Sequence, residues 1–199
     1  MKVVIAIDPG KSGGVAVSAF GKTFCHPMPG TEGDRLELIR DFKRMSDVEG
    51  ADCICVLEQV GGFVGKGQPG SAMFKFGEGY GFLMGVVQTL GIKLVRVRPQ
   101  DWQKVFGLGT ASSCANPREW KNKLKAEAQR RFPDLNVSLK TADALLILEF
   151  YKLGAHGATR PTQTISSPHD AGSEHQQNNQ DGDGHRPPLQ TTEQQEQNV

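Results

Sequence analysis

The succession of apolar runs in this chain predicts an α/β fold. The sheet is mixed and five-stranded, three antiparallel strands followed by two parallel ones, with helices on both faces. Three observations predict it. Three short apolar runs open the chain and are joined by connections brief enough for hairpins. Two later apolar runs alternate with segments of helical period, as in strand-helix-strand units. A last helical segment is apolar on nearly every side and therefore has to be packed within the protein.

Taken in order, VVIAID (3–8), GVAVSA (14–19) and KTFCHP (22–27) read as strands, linked by GKSGG and FGK turns. In residues 34–46, DRLELIRDFKRMS, Leu36, Ile39, Phe42 and more loosely Met45 fall at three-residue steps and predict a helix with one apolar stripe. CICVLE (53–58) is a second wholly apolar strand that ends in a carboxylate. A Gly-rich loop leads to a helix over 76–91 and a strand over 92–99. A further helix covers 116–133, with Asn116 as N-cap, Pro117 at the first helical position and Pro133 as its stop. TADALLILEFYKLG (141–154) is the apolar final helix.

Composition divides the chain in two. From Ala155 to Val199 two arginines face six acids, a net of −4, and the remaining 21 basic and 16 acidic residues give 1–154 a net of +5. The segment 155–199 has no aromatic residue, and stretches such as QQNNQDGDGH are polar and of low complexity. It cannot bury enough apolar surface to offset its ordering entropy, which predicts a folded domain over 1–154 and a disordered acidic tail over 155–199. His156, His169, His175 and His185 are irregularly spaced in that tail and read as solvated side chains. Cys25, Cys53, Cys55 and Cys114 form no C-x-x-C pair, and buried free thiols in a reducing compartment are expected. There is no signal-peptide pattern and no run of membrane-spanning length, so a soluble, cytoplasmic protein is expected.

Asp8 and Glu58 both end apolar strands. Val4, Ala6 and Asp8 share one face by parity, as do Ile54, Val56 and Glu58. If the two strands are parallel neighbours, both carboxylates emerge at the sheet end where open α/β folds hold ligands. Asp143 is a third candidate, in the first turn of the apolar helix. Each has a plainer reading: a turn-forming Asp-Pro-Gly, a strand-end ion pair, or an acid favouring the helix dipole behind a Thr141 cap. Together at the rim of a core they would repel one another unless a cation lay between them. An all-oxygen donor set suits Mg²⁺, with Mn²⁺ as a substitute.

IDPGKSGG, LEQV and TADALLI, in that order on this frame, resemble the RuvC family of Holliday junction resolvases over roughly residues 1–154. FGEGYGFLMGVVQTLGI followed by VRPQDWQK resembles the family's segment after the glutamate. The resemblance implies an RNase H-like fold and a metal-dependent endonuclease that acts as a homodimer on four-way DNA junctions. Asp8, Glu58 and Asp143 would be its metal-binding and catalytic acids. The family commonly has a further acid three residues before the helix aspartate, where this chain has Lys140. Asp134 is a possible substitute, and Glu149 lies too far along the helix. Of two ions per site, the second would then be weakly held.

Between Lys93 and Lys140 eleven basic residues face four acids, a net of +7. Arg118, Lys121 and Lys125 share a side of their helix, which reads either as a solvated face or, beside a metal-binding rim, as a phosphate-contacting one. By resemblance one lysine of this segment lies near the scissile phosphate, and the sequence leaves Lys121, Lys123 and Lys125 equal. Lys11 and the N–H groups of the GKSGG turn are further phosphate contacts, and Lys140 a further DNA contact. Gly77, Gly81 and Gly85 recur on one helix face and call for close approach of another backbone, a region that by resemblance serves the dimer and the DNA face. In the loop over 61–76, Lys66 and Lys75 accompany Phe63 and Phe74, which could wedge between bases or fold under the loop.

The expected activity is paired, symmetric nicking of four-way junctions. Alternatives are a same-fold nuclease for other branched or RNA-containing substrates, and a junction-binding protein that does not cut. A phosphotransferase of the actin and sugar-kinase superfamily also opens with strand, Asp, Gly and hairpin, but needs two such domains.

Overall fold

The computed structural model describes residues 1–61 and 70–154. The acidic tail with its histidines, and Phe63 and Lys66, lie outside the described residues. Five strands form one sheet: β1 Lys2–Asp8, β2 Gly14–Ala19, β3 Lys22–Pro27, β4 Asp52–Glu58 and β5 Lys93–Val97. Their order is β3-β2-β1-β4-β5. The first three are an antiparallel meander, and β4 and β5 run parallel to β1. This is the mixed five-stranded sheet that the sequence predicts, three antiparallel strands followed by two parallel ones. Phe20 and Gly21 between β2 and β3 both take positive φ (51° and 78°), as a two-residue hairpin whose twist follows the strands demands.

The helices are α1 Glu32–Val48, α2 Gly70–Thr89, α3 Pro99–Val105, α4 Pro117–Arg131 and α5 Ala142–Lys152, with a 3₁₀ turn at Ala111–Ser113. Strand parity sorts the core into two halves. Val4, Ala6, Ile54 and Val56 point to the face covered by α5, with Trp102, Trp120 and Leu124 behind it. Val3, Ile5, Ile7, Cys55 and Leu57 meet Ile39, Phe42, Leu83 and Val87 of α1 and α2 on the other face. Cys53 packs on that same half, as its parity with Cys55 predicts. Helix α5 buries Ala142 through Leu148 without a break, which explains its unpatterned apolar sequence. No helix among the described residues is long and apolar enough to cross a membrane.

Several expectations are corrected. Helix α1 is longer than 34–46, because the Thr31 hydroxyl accepts from the Asp34 N–H at 3.1 Å and starts the helix at Glu32. Its stripe ends at Phe42: Met45 is exposed, and Ser46 is buried with its hydroxyl donating to the Lys43 carbonyl at 2.7 Å. Helix α2 begins at Gly70, so Phe74 and Lys75 lie on its first two turns and not on a loop. Helix α3 and the 3₁₀ turn were not anticipated. The signal for α3 was Pro99 at the first helical position with Asp101 in the first turn, which Arg98 grips through two hydrogen bonds of 2.8 Å. Among the described residues no close approach is made at Gly77, Gly81 and Gly85: a Cβ at any of them meets nothing within 4 Å, and all three are exposed, so any backbone they admit lies outside the described residues.

Candidate active site

The parallel register pairs Ile7 with Leu57, so Asp8 and Glu58, one residue further, leave adjacent central strands side by side. Both follow the even-numbered residues to the α5 face. Asp143, second residue of α5 and 3% exposed, arrives from above. That meeting depends on two glycines. A Cβ on Gly13 would fall on the Asp8 carbonyl, and one on Gly14 would strike the Lys140 carbonyl and stand 2.8 Å from the His26 carbonyl. The chain before α5 can thus lie directly on β2. It is held there by a Ser138–Thr141 turn in which the Thr141 hydroxyl accepts from the Ser138 N–H at 2.9 Å. Thr141 therefore does not cap α5 through its side chain, as the sequence reading allowed; the hydroxyl is occupied one turn earlier.

Burial and repulsion raise the proton affinity of the pair at the strand ends. Asp8 is pushed up to about 8, first by desolvation and then by the charges of Glu58 and Asp143, with a hydrogen bond to Glu58 in the same direction. Desolvation also raises Glu58, against the opposing effect of a hydrogen bond from Trp102. The Trp102 indole N–H donates to Glu58 Oε1 at 2.9 Å. Lys121 of α4 hydrogen-bonds Asp143 Oδ2. Burial works to lower the Lys121 ammonium, but Asp143, Asp8 and Glu58 together hold it above its ordinary value. One cation thus faces three acids.

Asp143 Oδ1 is buried and has no hydrogen-bond partner among the described residues. Among the described residues, no three His, Cys, Asp or Glu side chains already stand as a metal-holding group; Asp143 Oδ2 is engaged by Lys121. The chemistry of the donor set nonetheless fits a hard divalent ion: three carboxylates converge on the single Lys121 ammonium, one of their oxygens without a partner among the described residues, which leaves a deficit of positive charge. Asp8, Glu58 and Asp143 are the residues that could hold such an ion.

The structure separates the three lysines that the sequence left equal. Lys121 reaches the acids. Lys123 turns to Glu119 at 3.3 Å and to Cys114 Sγ at 3.4 Å. Lys125 is half-buried on α4 and joins no ion pair among the described residues. Asp134 does not replace the missing acid: it is exposed beyond α4 and is not among the groups that act on Asp8, Glu58 or Lys121. Glu149 is engaged elsewhere, by Arg131 at 3.2 Å. Lys140 is exposed, with its backbone against Gly14.

Lys11 is exposed on the turn after β1, and Arg118 on the first turn of α4. The ring of Phe76 lies against that turn, where a Cβ on Gly10 would stand 3.0 Å from Cε2. Phe74 is 73% exposed and Lys75 is exposed beside it. Much of the basic segment is neutralised internally: Arg98 by Asp101, Arg130 and Arg131 by Glu127. The role of Trp102 was missed; a lone Trp in a polar run, VRPQDWQK, was its only trace.

No protein-family model matches this chain. No curated protein matches it either. Among solved structures it is similar to RuvC of Thermus thermophilus, with a TM-score of 0.47 and 15% identity over 77% of this chain and 97% of that one. It is also similar to T. thermophilus RuvC in complex with a Holliday junction substrate, with a TM-score of 0.46 and 16% identity over 78% and 98% of the two chains.

Proposed function

We propose that this chain is a metal-dependent endodeoxyribonuclease that resolves four-way DNA junctions by paired nicks, working as a homodimer. The observation that carries the reading is the convergence of Asp8, Glu58 and Asp143 with Lys121 at the end of the central strands. The junction as substrate rests on the order and spacing of the IDPGKSGG, LEQV and TADALLI motifs.

In this reading Asp8, Glu58 and Asp143 hold Mg²⁺, or Mn²⁺ in its place. A divalent ion there supplies charge stabilisation to the phosphate and acidity to a bound water. Two ions are expected, the second weakly held because Lys140 stands where a fourth acid would be. Water attacks phosphorus, the P–O3′ bond breaks, and the products carry a 5′-phosphate and a 3′-hydroxyl. Lys121 turns its ammonium from Asp143 to the phosphate and offsets charge that grows on the transferring group. Lys11 and the N–H groups of the Gly10–Gly13 turn orient the same phosphate. Arg118 and Lys125 of α4 follow the backbone of an arm without reading sequence, so affinity falls steeply with salt. Phe74, 73% exposed with Lys75 beside it, would stack at the branch point, and Phe63 and Lys66 would contact the same DNA. A two-fold dimer would present two sites to opposed strands of a junction that is itself nearly two-fold.

A second reading, a junction-binding protein that does not cut, is favoured by one observation: neither Asp134 nor Glu149 restores the fourth acid. Incubating a labelled four-way junction, a linear duplex and an RNA–DNA hybrid in Mg²⁺ and in Mn²⁺, with Asp8→Asn as control, decides between them. Paired symmetric nicks in the junction alone, absent from Asp8→Asn, are expected. Tight binding without nicks replaces the nuclease by the binding protein, and cutting of the hybrid moves the substrate to RNA-containing duplexes.

A further inference from the structure

We infer that Trp102 is a positioning residue for Glu58, and that α3 with its aromatic packing is the brace that sets it. The inference rests on the nuclease reading and names how one of its acids is aimed. Of the three carboxylates, Asp143 is oriented by Lys121, and Asp8 is hemmed by the backbone of Gly13, whose absent Cβ would lie 3.1 Å from Asp8 Cγ. Glu58 has one more rotatable bond than an aspartate and so loses more rotamer freedom on being fixed. Trp102 supplies the constraint. Its indole is fully buried and its N–H engages Oε1 at 2.9 Å, which leaves the remaining lone pairs of Glu58 for Asp8 and for a cation.

The indole is itself held. Phe106 packs edge-on against it, with ring centroids 6.4 Å apart and planes at 63°. The Arg131 guanidinium lies over the Phe106 ring, 4.7 Å from its centroid. Arg131 then reaches Glu127 of α4 at 2.6 Å and Glu149 of α5 at 3.2 Å. The bond on Glu58 is therefore tied to the two helices that carry Lys121 and Asp143. Hydrogen bonds to the ligands of an ion commonly alter its affinity about 10–100-fold, and a donor buried behind a strand-end glutamate stands in that position.

The test is Mn²⁺ binding by calorimetry to the full-length chain, alongside junction cleavage and thermal melts. Trp102→Phe keeps an aromatic ring and deletes the N–H. Trp102→His loses more packing but keeps a ring N–H at the same number of bonds from Cβ. Trp102→Phe should bind Mn²⁺ about 10-fold or more weakly, and Trp102→His should recover part of that loss despite a lower melting temperature. Packing alone would order the two variants the other way. If Trp102→Phe melts below the assay temperature, β-(3-benzothienyl)alanine at position 102 removes the N–H at nearly constant shape. Wild-type affinity in Trp102→Phe or in that analogue, or weaker binding by Trp102→His than by Trp102→Phe, overturns the role of Trp102 and leaves the nuclease reading standing. Wild-type protein that takes up no Mn²⁺ overturns the nuclease reading and the role of Trp102 with it.

Discussion

Lys121 on α4 and Asp143 on α5 are hydrogen-bonded across a separation of 22 residues, where no other acid of α5 is within reach of the site. The carboxylate is 5% exposed and the lysine side chain 47%, so the pair is half open to whatever approaches the rim. In the proposed reading a phosphate arriving there would draw the Lys121 ammonium from Asp143. Lys121→Ala should cut junctions about 10²–10³-fold more slowly in single-turnover assays, with a small loss in binding. It also strands a buried carboxylate, and with Lys121 partly solvated the stability loss should be about 1 kcal/mol. Lys123→Ala, which removes contacts to Glu119 and Cys114 away from the acids, should cleave at the wild-type rate. Equal defects in the two variants would return the lysines to the equivalence the sequence left them in.

The burial and repulsion that raise Asp8 should be measurable without DNA. Asp8 takes up its proton near 8 in the folded chain, against 3.8 for an ordinary aspartate. A group raised on folding contributes stability fully below its unfolded value and loses it as pH climbs through the folded one. Metal-free protein should therefore lose stability as pH rises between 4 and 8. On the acid side Asp101 and Glu127, held low chiefly by hydrogen bonds from Arg98 and Arg130, act in the opposite direction. Comparing the wild type with Asp8→Asn isolates the effect. In EDTA the two should melt alike near pH 4, and Asp8→Asn should be the more stable by pH 8.5. Added Mg²⁺ should close that gap for the wild type alone. Parallel melting curves across the range would show that Asp8 is not raised by its burial among the other acids.

Strand parity made the pairing of Asp8 and Glu58 legible in the sequence, because a period of two leaves no freedom once the neighbouring residues are buried. Asp143 was legible for a related reason: an acid within a helix apolar on all sides has few explanations. The choice among Lys121, Lys123 and Lys125 was not, since a helix turns 100° per residue and its rotation is set by packing of Trp120 and Leu124, not by the charges. Trp102 was hidden more deeply. Its hydrogen bond joins residues 44 apart, through a short helix whose apolar side is too brief to show a period. The start of α2 was obscured by its glycines and by Phe74, which as an exposed aromatic reads like loop sequence.

Gly14 tests the geometry that brings α5 to the strands. Its missing Cβ admits the Lys140 carbonyl on one side and the His26 carbonyl on the other, and neither is a flexible side chain that could step aside. Gly14→Ala should cost about 1–3 kcal/mol and should slow cleavage by more than its stability loss predicts, because the displaced segment carries Asp143. Gly30→Ala, where nothing lies within 4 Å, is the control and should change neither. A variant at Gly14 that is destabilised but cuts at the wild-type rate would separate the α5 junction from the site.

The exposed row of Gly77, Gly81 and Gly85 makes the proposed dimer testable. Within one chain those glycines are a cost, since each disfavours the helix by about 1 kcal/mol relative to Ala, and no backbone among the described residues comes near to explain them. A second copy that packs backbone to backbone along α2 would explain them. Gly81→Lys puts a long charged side chain into that approach while improving helix propensity within the monomer. Sedimentation should then show a dimer for the wild type and a folded monomer for Gly81→Lys, with the monomer no less stable to urea and paired nicking replaced by single nicks. Gly81→Ala should fall between, because a methyl group only spaces the helices apart. A wild-type chain that sediments as a monomer, or a Gly81→Lys dimer, would place the partner surface elsewhere and leave the glycine row as a helix face turned to solvent or to DNA.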